Sequence, residues 1–257
     1  MLNRQATTYD HVALQPWEAL RARLRAIVLD VDGTLYEQSR LRRRMAWRLA
    51  RSHVGRPRAL LRTVRIIRAY RAAQEQLRNA APNGLDLALA QRQLAQQQLA
   101  AGSVAAQLTE VERCVTRWME NEPLDLIPGC VRAGVRRFLE VARARGLQTA
   151  VCSDYPAARK LAAMDLLDAF PVIVLAQDRD VQRFKPDPRG LEVALARLQV
   201  AATEALYVGD RPDVDAVAAA RAGMACVIVG GAPPMGGGGT CLAVPGFGEL
   251  HDALFDD

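Results

Sequence analysis

An apolar stretch at residues 26–36, AIVLDVDGTLY, limits the folds that this chain can adopt. Its first part predicts a buried strand, which ends at Asp30, and Asp32 follows two positions later. A single strand cannot form a sheet, and the next strand-like run begins only near residue 147. The first strand must therefore pair with segments far along the chain.

From residue 128 onward, strand-like and helix-like patterns alternate. The strands are predicted at LQTAVCS, PVIVLA, ALYVGD and ACVIVG, and the helices at about 131–145, 156–167, 189–198 and 212–222. Gly146 is expected to end the first of these helices. This alternation predicts an α/β fold, with a parallel sheet between two layers of helices that uses both ends of the chain.

The region between the first strand and this alternation is predicted to be helical, from Gln38 to about Asn121. Breaks at 55–57, 81–84 and 102–103 divide it into about four helices, a small bundle. Leu60, Val64 and Ile67 share one face of a predicted helix.

Other features limit the class of protein. No apolar run is long enough for a membrane span, and the N-terminal segment lacks the apolar core of a signal sequence. The five cysteines are scattered and form no CxxC pair, which predicts reduced thiols in a cytoplasmic protein without a zinc site. The glycine-rich stretch GGAPPMGGGGT at 230–240 lacks the GK[ST] ending of a phosphate-binding loop, so we expect a flexible link between the last strands.

Polar side chains collect at the ends of the predicted strands. Asp30 and Asp32 follow the first strand and Ser153 the second, while Lys185 lies in the loop after the third and Asp210 ends the fourth. Each alone is typical of a turn or a helix cap. Because ligands bind at the carboxyl ends of strands in open parallel sheets, all of them together predict an active site.

These residue types indicate phosphoryl transfer. Carboxylates from two strands are ligands that Mg²⁺ prefers, and a bound cation would explain how two aspartates can lie so close together. A carboxylate nucleophile, a metal ion, a lysine and a second carboxylate can together hydrolyse a phosphate ester through an aspartyl phosphate.

The segments LDVDGTLY, CSD, FKPDP and VGDRPDVDAVAAARAGM resemble the four ordered motifs of the haloacid dehalogenase superfamily. The resemblance is to phosphatases of the phosphoglycolate-phosphatase type, and it implies a Rossmann-like core with a helical cap inserted after the first motif. The expected organisation is an N-terminal extension at 1–24, a catalytic core at 25–36 and 126–257, and a cap at 37–125, which we call the cap segment.

The resemblance also implies roles for individual residues. Asp30 is the expected nucleophile, and Asp32 the acid that protonates the leaving oxygen and then the base that activates water. Ser153 is expected to hold the phosphoryl group and Lys185 to balance its charge. The implied Mg²⁺ ligands are Asp30, the backbone carbonyl of Asp32, and Asp210, with Asp215 in support through water or outer contacts.

The resemblance also narrows the chemistry, and one position departs from the family pattern. The dehalogenases lack the second aspartate, whereas this chain has Asp32, and both lysines, Lys160 and Lys185, belong to the core rather than to the cap. A phosphatase is therefore favoured over a dehalogenase or a Schiff-base enzyme. Asp154 stands where related phosphatases often have Asn, and we expect it to turn away from the phosphate and cap the following helix. Asp213 has no clear counterpart.

The cap segment carries most of the positive charge. Residues 37–125 contain sixteen arginines and eight acidic residues. A solvated helix face, a subsite for extra negative charge on the substrate, and peripheral contact with an anionic membrane all remain open, while no motif supports nucleic-acid binding.

The expected function is hydrolysis of a small anionic phosphate monoester. A phosphomutase, a phosphatase of lipid headgroups at the membrane surface and a non-catalytic phosphate-binding or regulatory protein of the same fold are the alternatives.

Overall fold

The computed structural model describes residues 15–80, 86–102, 104, 106–231 and 241–256, with side chains from residue 18 onward. A six-stranded sheet, all parallel, forms the core in the order β3-β2-β1-β4-β5-β6. The first strand lies at the centre of the sheet, between segments from the second half of the chain. The strands are β1 (Ala26–Leu29), β2 (Gln148–Ser153), β3 (Val172–Leu175), β4 (Ala205–Gly209), β5 (Ala225–Val229) and β6 (Cys241–Val244).

Strand β1 is apolar throughout because both of its faces are covered. Ile27 and Leu29 belong to one hydrophobic cluster, whereas Ala26 and Val28 belong to the cluster on the opposite face. Successive side chains of a strand point to opposite faces, so a strand buried on both faces needs an uninterrupted apolar run.

Helices cover both faces of the sheet, which confirms the predicted α/β fold. The first face packs against helices α1 (Gln15–Arg23), α6 (Val135–Ala144), α7 (Ala158–Ala163) and α10 (Phe247–Phe255), and the second against α8 (Arg189–Leu198) and α9 (Val217–Arg221). Gly146 adopts φ +73° directly after α6, as expected for the residue that ends a helix.

The cap segment lies between β1 and β2 in the chain. Its helices are α2 (Gln38–Ser52), α3 (Pro57–Ala80), α4 (Leu87–Ala101) and α5 (Leu108–Val115), followed by a π-helical turn at Thr116–Asn121. A hydrophobic cluster of their own holds α3, α4 and α5 together, with Ile66, Ala73, Ala95, Leu99 and Val111 in its centre. The breaks near 55–57 and at Gly102 match the prediction, while 81–84 lies outside the described residues.

The predicted apolar face of α3 is not its buried face. Leu60, Val64 and Ile67 are only half-buried, whereas Ile66 and Ala73 are buried. The helix is apolar on two sides, and periodicity alone does not say which one contacts α4 and α5.

The structure also differs from the predictions at several helices outside the cap segment. Helix α7 is shorter than predicted, and the helix expected at 212–222 begins as a π-helical turn at Pro212–Ala216. Helices α1 and α10 were not predicted. Most of the glycine-rich stretch lies outside the described residues. Among the described helices, none is both long and apolar enough to cross a membrane.

Candidate active site

Asp30 and Lys185 form the centre of the site at the carboxyl end of the sheet. Asp30 follows β1, and its backbone N–H donates to Val208 O of β4 at 2.9 Å, which places its side chain at the edge. Lys185 Nζ lies 2.7 Å from Asp30 Oδ1 and 2.7 Å from Asp215 Oδ1. Each of the three side chains is at most 7% exposed, so the lysine charge stabilises two buried carboxylates.

Burial and neighbouring charge move the pKa values of these groups. Burial raises the pKa of Asp30, and the charge of Lys185 opposes this rise without cancelling it. Burial alone would lower the pKa of Lys185, but Asp215 and Asp30 outweigh it and raise that pKa well above the usual value. Lys185 therefore stays protonated at neutral pH and provides a permanent positive charge beside Asp30.

All of the acceptor positions of Asp215 are directed at neighbouring groups. Its Oδ1 accepts from Lys185 Nζ and from Tyr207 OH, at 2.7 and 2.9 Å. Its Oδ2 accepts from the backbone N–H groups of Asp210 and Arg211, at 3.1 and 3.0 Å. Burial would raise the pKa of Asp215, but Lys185 and these hydrogen bonds lower it. Asp215 thus holds Lys185 and the loop that carries Asp210.

One carboxylate oxygen from each of Asp30, Asp210 and Asp215 lies within 4.8 Å of the other two, a spacing that a metal ion can bridge. Asp210 makes no side-chain hydrogen bond or ion pair with any residue that the structure describes. A Cβ atom at Gly33, where φ is +107°, would lie 2.0 Å from Asp210 Oδ2, so only glycine leaves room for this carboxylate. Burial and the charge of Asp215 raise the pKa of Asp210 to about 6.

This donor set fits a hard divalent cation. The carboxylate oxygens of Asp210 have no protein partner among the described residues, and Asp30 contributes a second carboxylate from the neighbouring strand. The carboxylate of Asp32 does not belong to the cluster, and Asp215 already accepts four hydrogen bonds. Asp30 and Asp210 are therefore the side chains that would hold Mg²⁺, with Asp215 supporting the loop.

Asp32 faces a different set of partners. Lys160 Nζ donates to both of its carboxylate oxygens, at 2.6 and 2.7 Å, and the hydroxyl of Tyr36 donates to Oδ1. Lys160 is buried, at 8% exposure. Asp32 is thus held by partners other than those of Asp30, and both residues line the same cavity.

Ser153 and Asp154 follow β2 and lie beside this centre. Ser153 Oγ accepts from the backbone N–H of Tyr155 at 3.2 Å, which leaves the hydroxyl hydrogen available to a ligand. The expectation that Asp154 caps the next helix is wrong, because α7 has no side-chain cap. Asp154 instead accepts from the backbone N–H of Lys185 and from Arg78 of α3, at 3.1 and 2.8 Å. A neighbouring arginine and backbone donor balance this buried charge better than a helix end would.

Several contacts join the cap segment to the core. Arg211 of the core binds Glu75 of α3 as well as Asp213, which gives Asp213 a structural partner. Arg44 of α2 donates to the backbone carbonyl of Leu126, and Arg78 of α3 binds Asp154. Some of the cap arginines therefore fix the position of the cap segment, and these are not a solvated face.

Sequence reasoning missed Lys160, Tyr36 and Tyr207 as partners of the predicted site residues. Tyr36 follows Asp32 by four positions, a spacing that a tight turn can bring together. Lys160 and Tyr207 come from distant segments. Without the order of the strands, their residue types and positions in the sequence did not indicate that they contact Asp32 and Lys185. The structure brings all predicted site residues to one edge, and Asp30, Asp32, Lys185, Asp210 and Asp215 line one cavity.

The sequence matches the family of haloacid dehalogenase-like hydrolases over residues 24–223. A phosphoglycolate phosphatase from Rhodospirillum rubrum is 33% identical over 152 residues, which make up 58% of this chain and 59% of that protein. The chain thus matches less than two thirds of the length of this relative.

Solved structures share the fold at low identity. The magnesium-bound HAD-hydrolase YfnB from Bacillus subtilis has a TM-score of 0.62 at 15% identity, covering 90% of this chain and 99% of that one. A 2-haloacid dehalogenase from Pseudomonas syringae pv. Tomato has a TM-score of 0.60 at 19% identity, covering 90% and 98%. Because the family match covers most of the chain and all of the predicted site residues, this protein belongs to the haloacid dehalogenase-like hydrolases.

Proposed function

We propose that this hydrolase is a Mg²⁺-dependent phosphatase of small anionic phosphate monoesters that acts through a phosphorylated Asp30. The observation that carries the proposal is the pair of aspartates in different settings. Asp30 lies beside Lys185 and the carboxylate of Asp210, whereas Asp32 is held by Lys160 and Tyr36. A dehalogenase has no need of the second carboxylate, but the leaving oxygen of a phosphate ester needs a proton.

The residues of the chain divide the reaction into two steps. A carboxylate oxygen of Asp30 attacks phosphorus, the bond to the ester oxygen breaks, and Asp32 gives that oxygen a proton. Asp32 then takes a proton from water, which attacks phosphorus and releases phosphate from Asp30. Lys185 and the Ser153 hydroxyl stabilise the charge on the phosphoryl oxygens. Bound Mg²⁺ would supply further positive charge there.

The test is release of inorganic phosphate from 4-nitrophenyl phosphate, with Mg²⁺ and with excess chelator. The proposal requires turnover that the chelator abolishes. Halide release from a 2-chloroalkanoate in place of phosphate release would identify a dehalogenase. Isomerisation of a sugar phosphate without free phosphate would identify a mutase. Binding of phosphate without turnover of any ester would indicate a non-catalytic protein.

Asp32→Asn should slow the enzyme by an amount that depends on the leaving group. A general acid typically contributes ~10²–10⁴-fold. The loss should be near the upper end for an alkyl phosphate, whose leaving oxygen needs a proton, and near the lower end for 4-nitrophenyl phosphate. The substitution leaves Lys160 without its partner and can reduce the amount of folded protein. The ratio of kcat for the two substrates, measured in one preparation, does not depend on that amount. Equal losses would contradict the acid role.

The Mg²⁺ requirement should depend on pH because Asp210 has a raised pKa of about 6. Below that pH a proton occupies the carboxylate and competes with the cation, so affinity falls as pH falls. One competing proton implies that the Mg²⁺ concentration for half-maximal effect rises about tenfold from pH 7 to pH 5. Calorimetric titration with Mg²⁺ measures this without turnover.

Two variants complete that experiment. Asp210→Asn should weaken Mg²⁺ binding and reduce its dependence on pH in this range, leaving the part that comes from Asp30, whose pKa is also raised. Asp213→Asn is the matched control, because Arg211 holds the pKa of Asp213 below its usual value and Asp213 is not in the carboxylate cluster. Binding of Mg²⁺ by Asp210→Asn as tight as by the wild type would refute the assignment.

A further inference from the structure

The cavity above Asp30 is large for a simple phosphate ester. It has a volume of about 650 Å³, and helices α2 and α3 of the cap segment form much of its wall. Phosphoglycolate, with its two-carbon acid, would fill only a small part of this space. Much of the wall is apolar and suits an organic group longer than that acid: it includes Leu41, Met45, Leu49, Val64, Ile67 and Trp118.

Most of the charges that line the cavity are paired with one another. Because opposite charges lie side by side in these pairs, the pairs attract a charged ligand only weakly. They are Lys185 with Asp30 and Asp215, Lys160 with Asp32, Arg78 with Asp154, Arg92 with Glu112, and Arg211 with Glu75.

Three lining arginines remain after this pairing. Arg42 of α2 and Arg68 and Arg71 of α3 make no hydrogen bond or ion pair with any residue in the described part of the chain. Among the lining carboxylates there, only Glu120 and Asp210 are likewise unpaired, and Asp210 fits the cation. The cap side of the cavity therefore has a surplus of positive charge.

Arg42 and Arg71 lie close enough to affect each other. Partial desolvation in the cavity lowers the pKa of Arg71, although the side chain remains exposed to solvent, and the charge of Arg42 lowers this pKa further. Both residues line the cavity, and their like charges repel each other unless an anion lies between them. The charge of Asp32, the expected proton donor to the leaving group, also acts on Arg71 and raises its pKa. Arg42, Arg68 and Arg71 line the same cavity as Asp32.

A row of donors along α3 connects these arginines with the core. Arg68, Arg71, Gln74 and Arg78 follow at spacings of three or four residues, so they share one face of the helix and line the cavity. Gln74 Nε2 and Arg78 Nη1 are buried and have no hydrogen-bond partner among the described residues. Buried donors without partners are costly, and a ligand with several acceptor oxygens would satisfy them.

We propose that the substrate is a phosphate monoester with a second anionic group, carried on a body longer than two carbons, and that Arg42, Arg68 and Arg71 bind this remote anion. The inference rests on the proposed phosphatase function and adds its substrate class. The scissile phosphate lies at Asp30, the apolar wall contacts the body of the leaving group, and the arginines bind its far end.

Other cap arginines provide a matched control. Arg43, Arg58 and Arg65 also lack partners among the described residues and are exposed, as Arg42, Arg68 and Arg71 are, but they do not line the cavity. A triple variant of each set, Arg42→Gln/Arg68→Gln/Arg71→Gln and Arg43→Gln/Arg58→Gln/Arg65→Gln, changes the net charge equally. Only the first set faces the proposed ligand.

The experiment uses pairs of substrates that differ in one charge. Each pair is an alkyl phosphate that ends in a carboxylate and its twin that ends in the neutral amide, prepared at several chain lengths. The wild-type enzyme should show kcat/KM at least about tenfold higher for the carboxylate, the effect of one charge-assisted hydrogen bond. The preference should be greatest for chains longer than that of phosphoglycolate. The preference should disappear in the triple variant of Arg42, Arg68 and Arg71, which we call the cavity variant. It should persist in the triple variant of Arg43, Arg58 and Arg65, the control variant.

The outcomes separate this inference from the proposed function. A wild-type enzyme that hydrolyses neither 4-nitrophenyl phosphate nor any alkyl phosphate would overturn the phosphatase. Hydrolysis with equal kcat/KM for carboxylate and amide, or a preference for phosphoglycolate over all longer chains, would overturn only the substrate class. The substrate class would also be overturned if the cavity variant kept the preference but no longer sedimented with phosphatidylserine vesicles. In that case the arginines would bind a membrane surface rather than the substrate.

Discussion

Asp30→Asn should abolish turnover while the protein stays folded. The amide keeps the volume of the side chain but is no longer a nucleophile, and loss of a nucleophile can cost on the order of 10⁶-fold in kcat. Lys185 keeps Asp215 as a partner, so the buried amine is not left unpaired. Phosphate release from 4-nitrophenyl phosphate measures the loss, and circular dichroism measures folding.

Mass spectrometry of the acid-quenched enzyme makes this prediction sharper. The wild type should carry one phosphoryl group on the peptide that contains Asp30, and Asp30→Asn should carry none. Asp213→Asn, with the same change at an exposed carboxylate outside the cluster, should behave as the wild type. Phosphorylation of another residue, or full activity of Asp30→Asn, would refute the mechanism.

Lys185→Met should impair both stability and activity. Asp30 and Asp215 would be left as buried carboxylates without their shared cation. Breaking a buried pair typically costs about 3–5 kcal/mol, and each kcal/mol lowers Tm by roughly 2–4 °C in a domain of this size. Thermal unfolding followed by circular dichroism should therefore show a fall in Tm on the order of 10 °C.

A second substitution tests whether charge is the cause. Asp215→Asn in the Lys185→Met background removes one of the two unpaired carboxylates, so it should recover part of the lost Tm. In the wild-type background Asp215→Asn should lower Tm, because it weakens the hold on Lys185 and on the N–H groups of Asp210 and Arg211. The two substitutions should thus be strongly non-additive. Simple additivity would show that the ion pairs do not couple these residues.

Much of the site could be predicted because strand ends are local features. Asp30, Ser153 and Asp210 each follow an apolar run, and parallel strands bring their carboxyl ends to one edge whatever their order. The partners of these residues could not be predicted in the same way. Asp154 illustrates the limit: its neighbours in sequence favoured a helix cap, but Arg78, which lies in the cap segment, outweighed them.

The roles of the cap arginines show the same limit. The composition of the cap segment shows a surplus of positive charge, but it does not distinguish one arginine from another. The structure separates Arg48, which binds Asp125, from Arg71, which lines the cavity, and from Arg65, which faces away from it. Helical periodicity places side chains around an axis, but the neighbours of each face are known only when the helices have packed.

The sequence by itself determined the α/β fold, the edge of the sheet where the site lies, and the chemical types of the central residues. These follow from the period of the apolar pattern and the positions where it stops, which depend on nearest neighbours in the chain. Only the tertiary structure decided that Lys160 holds Asp32 and that Tyr207 contacts Lys185. It also decided that three arginines line the cavity without partners in the part of the chain that the structure describes. Those contacts join residues distant in sequence, and burial makes each one selective, because a charge removed from water must find a partner in the fold or in a ligand.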